Sequence, residues 1–254
     1  MTIRLSTGAR NGLAAGLGFQ GMFNRGYMEI WSGSQPANAD AAATGTKLGV
    51  ITVASGSLTK ETRATATLTV TGGSGTLASL TAGTLPLVPD PGSVVWATSN
   101  DATALLIAAA INRNGMAEAS VSTNVVTVRP RPGTGAAWNT LALATTGITC
   151  TGSNFASGVA SVNGLALGSP AVGVISKSAD VWSMVGIAAG TAGWFRFYGS
   201  DTADSGGLIS GAPYYPRMDG SCGVGSGDAQ LSSLTVAVGS PHTVDTFTFT
   251  VPAA

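Results

Sequence analysis

The sequence predicts a mainly β protein interrupted by one small α/β unit, and three observations carry that prediction. Gly supplies 36 of the 254 residues, and Ser, Thr and Ala fill much of the remainder, a composition of turns and short strands. The final stretch alternates with a period of two, with Asp245, Phe247, Phe249 and Val251 on one side and Val244, Thr246, Thr248 and Thr250 on the other. Aromatics confined to one side of such a strand mark a half-buried sheet covering a core. Only one segment, Asp101 to Asn112, has strong helical spacing.

Taken in order, the chain opens on a weak helix that Ser6 or Thr7 can cap, with Leu13, Leu17 and Phe19 on one side. Gly12, Gly16, Gly18 and Gly21 weaken it, each by up to about 1 kcal/mol against Ala. Tyr27 to Trp31 reads as a strand ending in the turn Ser32-Gly33-Ser34-Gln35-Pro36, and Leu48 to Val53 as a second. The character shifts near Ser55. Ala64 to Val70 alternates Ala, Leu and Val with Thr, and Gly92 to Ala97 is expected to be a further strand. Ser99-Asn100-Asp101 then caps the best helix, whose apolar face is Ala104, Ile107, Ala108 and Ile111, widened by Leu105 and Leu106. Ala117 to Val121 and Val125 to Val128 flank a short turn and read as a hairpin. The stretch is a self-contained β-β-α-β-β pattern. A Gly-, Ser- and Thr-rich passage follows from Thr145 to Gly168. Strands resume at Val172 to Ser176, Val181 to Ile187, Trp194 to Tyr198, Leu231 to Val238 and Val244 to Val251.

Charge narrows the function classes. Charged residues make up 9% of the chain, against roughly 25% in ordinary soluble domains. Twelve basic residues balance twelve acidic ones, and no basic run exists to displace counterions, so nucleic acid is not an expected partner. The most apolar segment, Ala104 to Ile111, is too short to span a bilayer, and no membrane is expected. No apolar signal-peptide core follows Met1, so synthesis in a cytoplasm is expected. Sparse charge suits a surface made for contact with other protein. Cys150 and Cys222 can pair, but a cytoplasmic origin favours two free, semi-buried thiols.

Residues able to carry chemistry are scarce. His242 is the sole histidine, so a His-based relay or two-His metal site has no raw material, and a strand-end role is expected. The run Gly223-Val224-Gly225-Ser226-Gly227-Asp228 lacks the Gly-Lys-Ser/Thr ending of a phosphate loop and reads as a hairpin connection. Asp201, Asp204, Asp219 and Asp228 have the donor chemistry for calcium, yet Asp in Gly-rich turns normally serves the turn. No catalytic residue, metal or cofactor is expected. In Trp194-Phe195-Arg196-Phe197-Tyr198 the aromatics fall on both faces, which suits a core strand with Arg196 paired or stacked on an aromatic. Trp194, Phe195, Phe197, Phe247 and Phe249 are the expected core.

Ile3 to Arg10, Glu29 to Pro36 with Ala39-Asp40, Ala189 to Phe197, Arg217 to Ser221, Leu231 to Ser233 and Thr243 to Val251 together resemble small structural proteins of tailed bacteriophages. The resemblance covers roughly the first fifty and last eighty residues. Within the middle, Asn100 to Thr103, Ile107 to Asn112, Val125 to Val128 and Gly135 to Asn139 are similar to a small α/β module of phage tail-sheath and related virion proteins, although Trp138 stands where Gly is more usual. The expected organisation is a discontinuous β-sandwich-like domain of residues 1–56 and 170–254, with a small α/β domain and its linker inserted at 57–169. The resemblance implies a virion structural protein, made in the host cytoplasm and present as an oligomer or in many copies. A capsid decoration (cement) role, with the major capsid protein as partner, is the first expectation. A neck, tail or baseplate component is the alternative, and a host-glycan-binding module, which needs an exposed Trp194, is the third. Leu13, Leu17, Phe19 and Phe23, in a Gly-rich segment unable to hold a helix alone, are the expected docking residues.

Overall fold

The computed structural model describes residues 3–14, 16–201 and 215–250. The chain is mainly β, with 43% strand and 15% helix. It divides into two compact units, one of residues 1–13, 18–61 and 161–254 and the other of residues 14–17 and 62–160. Residues 57–61 and 161–169, which the sequence groups with the middle of the chain, therefore cluster with the first unit. Leu165 and Leu167 are buried there, and Leu165 forms a bridge with Gly26.

Seven strands of the first unit close on themselves: β1 (Tyr27–Ser32), β2 (Lys47–Val53), β3 (Trp182–Val185), β4 (Gly190–Tyr198), β5 (Arg217–Gly223), β6 (Ala229–Leu231) and β7 (Pro241–Thr250). The ring runs β1-β2-β3-β7-β6-β5-β4 and returns to β1. Where the sequence predicts two sandwich-like layers, this sheet is barrel-like, and closure removes the free edges a sandwich retains. All its pairings are antiparallel except β5 with β6. The Gly223 to Asp228 connection is thus not a hairpin; it returns the chain in the same direction. Asp228 organises that return, its carboxylate accepting from the Ser221 N–H at 2.8 Å and the Ser221 hydroxyl at 2.7 Å.

A small barrel is filled by its own side chains. Phe195, Phe197, Trp182, Met28, Ile30, Ile51, Met184, Met218 and Phe247 are all fully buried. The Phe247 ring lies 5.5–6.0 Å from those of Phe197, Trp182 and Phe195. Two glycines make this filling possible. A side chain at Gly49 would strike Met184, and one at Gly220 would strike the Phe195 ring. The alternation along β7 departs from the sequence pattern at one place. Gln230 opposes Thr246 while Leu231 opposes Val244, leaving Asp245 as an extra residue. This bulge shifts the phase: His242 and Val244 are buried before it, Phe247 and Phe249 after it, and Asp245 is exposed.

The single weak helix expected at the N-terminus is two, α1 (Thr7–Ala14) and α2 (Gly18–Phe23), divided where Gly16 and Gly18 adopt φ of +83° and +67°. Ser6 caps α1, its hydroxyl accepting from the Ala9 N–H at 3.1 Å. Phe19, Met22 and Phe23 are buried within their own chain. Phe19 stacks on Phe249 at 4.0 Å and on Phe23 at 4.6 Å, and Phe23 reaches Phe197 at 5.3 Å. Leu17 is buried as well, so three of the four expected docking residues are consumed by folding, and Leu13, 37% exposed, is the one left at the surface.

In the second unit, Cys150–Gly152, Ala66–Val70, Val125–Pro130 and Ala117–Ser122 form a sheet in that order, and Leu85–Pro86, Ser79–Ala82 and Leu143–Thr146 form another. Within the Gly/Ser/Thr-rich passage, Thr145, Thr146 and Cys150–Gly152 are strand, and isolated bridges continue at Asn154, Ala156 and Val159. The expected strand at Gly92 to Ala97 is a 3-10 turn at Pro91–Ser93 followed by a single bridge at Val95. Helix α3 (Asn100–Asn112) begins at Ser99, whose hydroxyl accepts from the Ala102 N–H. It buries Ala104, Ile107, Ala108 and Ile111 against Leu68, Val70, Val126 and Val128. Leu105 and Leu106 instead remain 60% and 45% exposed, because a helix packed on one sheet buries a single stripe. At its end, the Asn112 amide donates to the Ala119 carbonyl at 3.0 Å and accepts from the Ala119 N–H at 2.7 Å. That side chain takes backbone groups on the outermost strand that a further strand would otherwise pair, which blunts the edge.

The barrel filling predicts that Phe247→Ala lowers the unfolding free energy by about 3–5 kcal/mol. Thr248→Ala, on the exposed side of the same strand, should stay within about 0.5 kcal/mol. Urea unfolding of both variants checks this, and equal effects would mean that Phe247 does not fill the interior.

Candidate functional site

The chemistry of the first unit gathers on the outer wall of the barrel. In β1, Met28 and Ile30 fill the interior, which leaves Tyr27, Glu29 and Trp31 on the outside. In β4, Phe195 and Phe197 point in, and Trp194, Arg196 and Tyr198 point out. The strand register brings these into rows. Trp194 opposes Trp31, Tyr198 opposes Tyr27, and Arg196 opposes both Glu29 and, on β5, Asp219. Arg4 extends the middle row by pairing opposite Asp219. The result is a ladder of alternating charge, Arg4, Asp219, Arg196, Glu29, between two aromatic rows.

Its centre is buried. The Arg196 Nε and Nη2 groups donate to the two Asp219 oxygens, each at 2.7 Å, and neither side chain is exposed. Arg196 Nη1 donates to the Ala41 carbonyl at 2.9 Å, and the guanidinium lies 5.5 Å from the Trp194 ring centre. Burial raises the Asp219 carboxyl above its ordinary range, while Arg196, Arg217 and Arg4 pull it back. Burial also acts to lower Arg196, but the hydrogen bonds and charge of Asp219 outweigh it and leave the guanidinium raised. Two bonds of 2.7 Å in a bidentate fork decide for an ionised pair. The segment between β1 and β2 is tied down here. Besides the Ala41 contact, the Pro36 carbonyl accepts from Arg4, and the Asp40 carboxylate accepts from the Thr7 N–H and hydroxyl.

Beside the covered pair lies an open groove, made of two adjoining depressions of about 450 and 410 Å3 that share Tyr27, Glu29, Lys47 and Lys60. Both Glu29 oxygens are engaged, one with Lys47 Nζ at 3.0 Å and the other with the Tyr198 hydroxyl at 3.1 Å. Lys60 Nζ sits 4.5 Å from the centre of the Tyr27 ring, which stacks on Tyr198 at 4.7 Å. Lys47 lies 5.8 Å from the Trp31 ring. Val185 and Ile187 line the adjoining side, 48% and 57% exposed. A carboxylate bound at both oxygens is held as a structural acceptor, whereas the two partly exposed ammonium groups offer attraction to an anion.

Of the residues singled out from sequence, the structure brings Trp194, Arg196 and Asp219 together in the ladder. Trp194 is fully buried, which removes the exposed platform that the glycan-binding expectation requires. His242 is buried on β7, with Nε2 2.8 Å from the Ser240 hydroxyl. Asp219 pairs with Arg196 and Asp228 with Ser221, and Asp204 lies outside the described residues. Among the described residues no group of three His, Cys, Asp or Glu is placed to hold a metal, and no helix is long and apolar enough to cross a membrane. Both cysteines are free. Cys222 is half-buried as a residue, yet its thiol is pushed up to about 12, by burial first and then by Asp228. Burial raises the Cys150 thiol too. The sequence reading missed Glu29, Lys47 and Lys60. The signal for Glu29 was present, since alternation along 27–31 sets it between Tyr27 and Trp31. The chain matches no family model, no curated protein and no solved structure.

Proposed function

We propose that this chain is a non-enzymatic structural component of a tailed-phage virion, with capsid decoration as the first assignment and a neck, tail or baseplate position as the alternative. The observation that carries the reading is where the few charges go. Of the twelve basic and twelve acidic side chains, seven are buried among the described residues: Glu61, Arg63, Glu118, Arg196, Asp201, Arg217 and Asp219. A chain already poor in charge spends part of it inside, while Val172, Val238, Val181, Ile187 and Leu105 are each more than half exposed. A surface so composed is poorly suited to a free monomer and well suited to a crowded assembly. The phage-like segments of the sequence supply the kind of assembly. The glycan-binding reading loses its support with Trp194 buried.

Mass spectrometry of purified virions from a phage encoding the chain tests this. Hundreds of copies per particle would place it on the shell, and a dozen or fewer at the neck, tail or baseplate. Its absence from the particle would overturn the reading.

We also propose that the second unit is an insertion carried by the first. Its support is the composition shift near Ser55, together with a contiguous core from Ala64 to Phe155. Replacing residues 62–160 by a short Gly/Ser linker is expected to leave a barrel that melts cooperatively, as followed by circular dichroism. Loss of the cooperative transition would contradict the insertion.

A further inference from the structure

We infer that the groove beside Glu29 seats an extended peptide segment of a neighbouring subunit, one carrying acidic and apolar side chains; this rests on the virion reading above. Three features point to that occupant. The first is charge. Among the described residues, Lys47 and Lys60 line both depressions against a single carboxylate, Glu29, whose two oxygens are already bound. A wholly apolar partner would bury an ammonium without a counter-charge, which is costly, and a basic one would be repelled. An acidic group over Lys60 is matched. The second is the apolar lining, where Val185 and Ile187 stand about half exposed beside Leu58. They offer burial that a small polar anion cannot use. The third is shape. Small-molecule sites enclose most of their ligand. These two depressions are open and continuous through Tyr27 and Glu29, so only a ligand that spreads along them gains area.

Lys60 is the residue on which the recognition turns. Its ammonium rests on the Tyr27 ring and faces the groove, while Lys47 is partly neutralised by Glu29. Salt should weaken such binding, because both partners' charges remain near water.

The test uses the full chain and its Lys60→Glu and Lys60→Arg variants, each first shown to melt as the parent does. Selection of a random library of short peptides on the immobilised parent should enrich sequences mixing Asp or Glu with apolar residues. The enriched peptides should bind Lys60→Glu about tenfold or more weakly and keep most of their affinity for Lys60→Arg. In the particle, the Lys60→Glu protein should be depleted relative to the parent. Enrichment without acidic residues, equal binding by Lys60→Glu, or normal incorporation of that variant would each overturn the groove assignment. If the parent protein is present in virions in those cases, the structural reading survives. Absence of the parent from virions defeats the reading itself.

Discussion

The Arg196–Asp219 pair is the interaction on which the first unit depends, because it is a full ion pair placed where water cannot reach it. Desolvating a guanidinium and a carboxylate costs several kcal/mol for each, and only good geometry with further hydrogen bonds returns that cost. Both conditions are present: two bonds of 2.7 Å join the partners, and the remaining guanidinium nitrogen finds the Ala41 carbonyl. The pair therefore requires a lid, and the segment between β1 and β2 supplies it. That segment brings Asp40 to the first N–H of α1 and so ties the N-terminus to the same place. One buried pair thus links strands β4 and β5, the covering segment and the start of the chain.

Inside the barrel the governing constraint is volume. Seven strands enclose a space that Trp182, Phe195, Phe197 and Phe247 fill, and the fit needs Gly49 and Gly220 at the points of closest approach. It also needs the bulge at Asp245. Without that extra residue, Val244 and Phe247 could not both face inward from one strand. The outer wall inherits its pattern from the inner one. Once Phe195 and Phe197 point in, Trp194, Arg196 and Tyr198 must point out, and the charge ladder and the groove are built from those outward positions.

Much of this was legible in the sequence, and the failures have physical causes. The strands at Tyr27, Leu48, Trp194 and Val244, helix α3 and the hairpin of Ala117–Ser122 with Val125–Pro130 follow from periodicity and capping. Arg196 between aromatics announced a paired or stacked cation. Closure into a barrel was not legible, since alternation fixes which side chains share a face but not which strands pair. The β7 bulge was hidden for a related reason: its cause is the register of β6 opposite. Phe19 and Phe23 looked free because their segment has poor helical propensity, yet stacking on Phe249 and Phe197 overrides propensity. Of the groove, one wall could be read from the alternation of residues 27–31. Lys60 could not, because it lies outside any regular strand and reaches Tyr27 through the fold alone.

The central claim is that the outer wall is organised by a buried ion pair, and a double-mutant cycle in urea unfolding tests it most directly. Arg196→Met and Asp219→Leu are each expected to lower the unfolding free energy by about 3–5 kcal/mol, because each leaves one charge buried and unpaired. The double variant should be markedly more stable than the sum of the two losses implies, since neither member of the pair is left buried and charged without the other. Single losses of about 1 kcal/mol or less that simply add are the behaviour of an exposed pair, and would contradict the account.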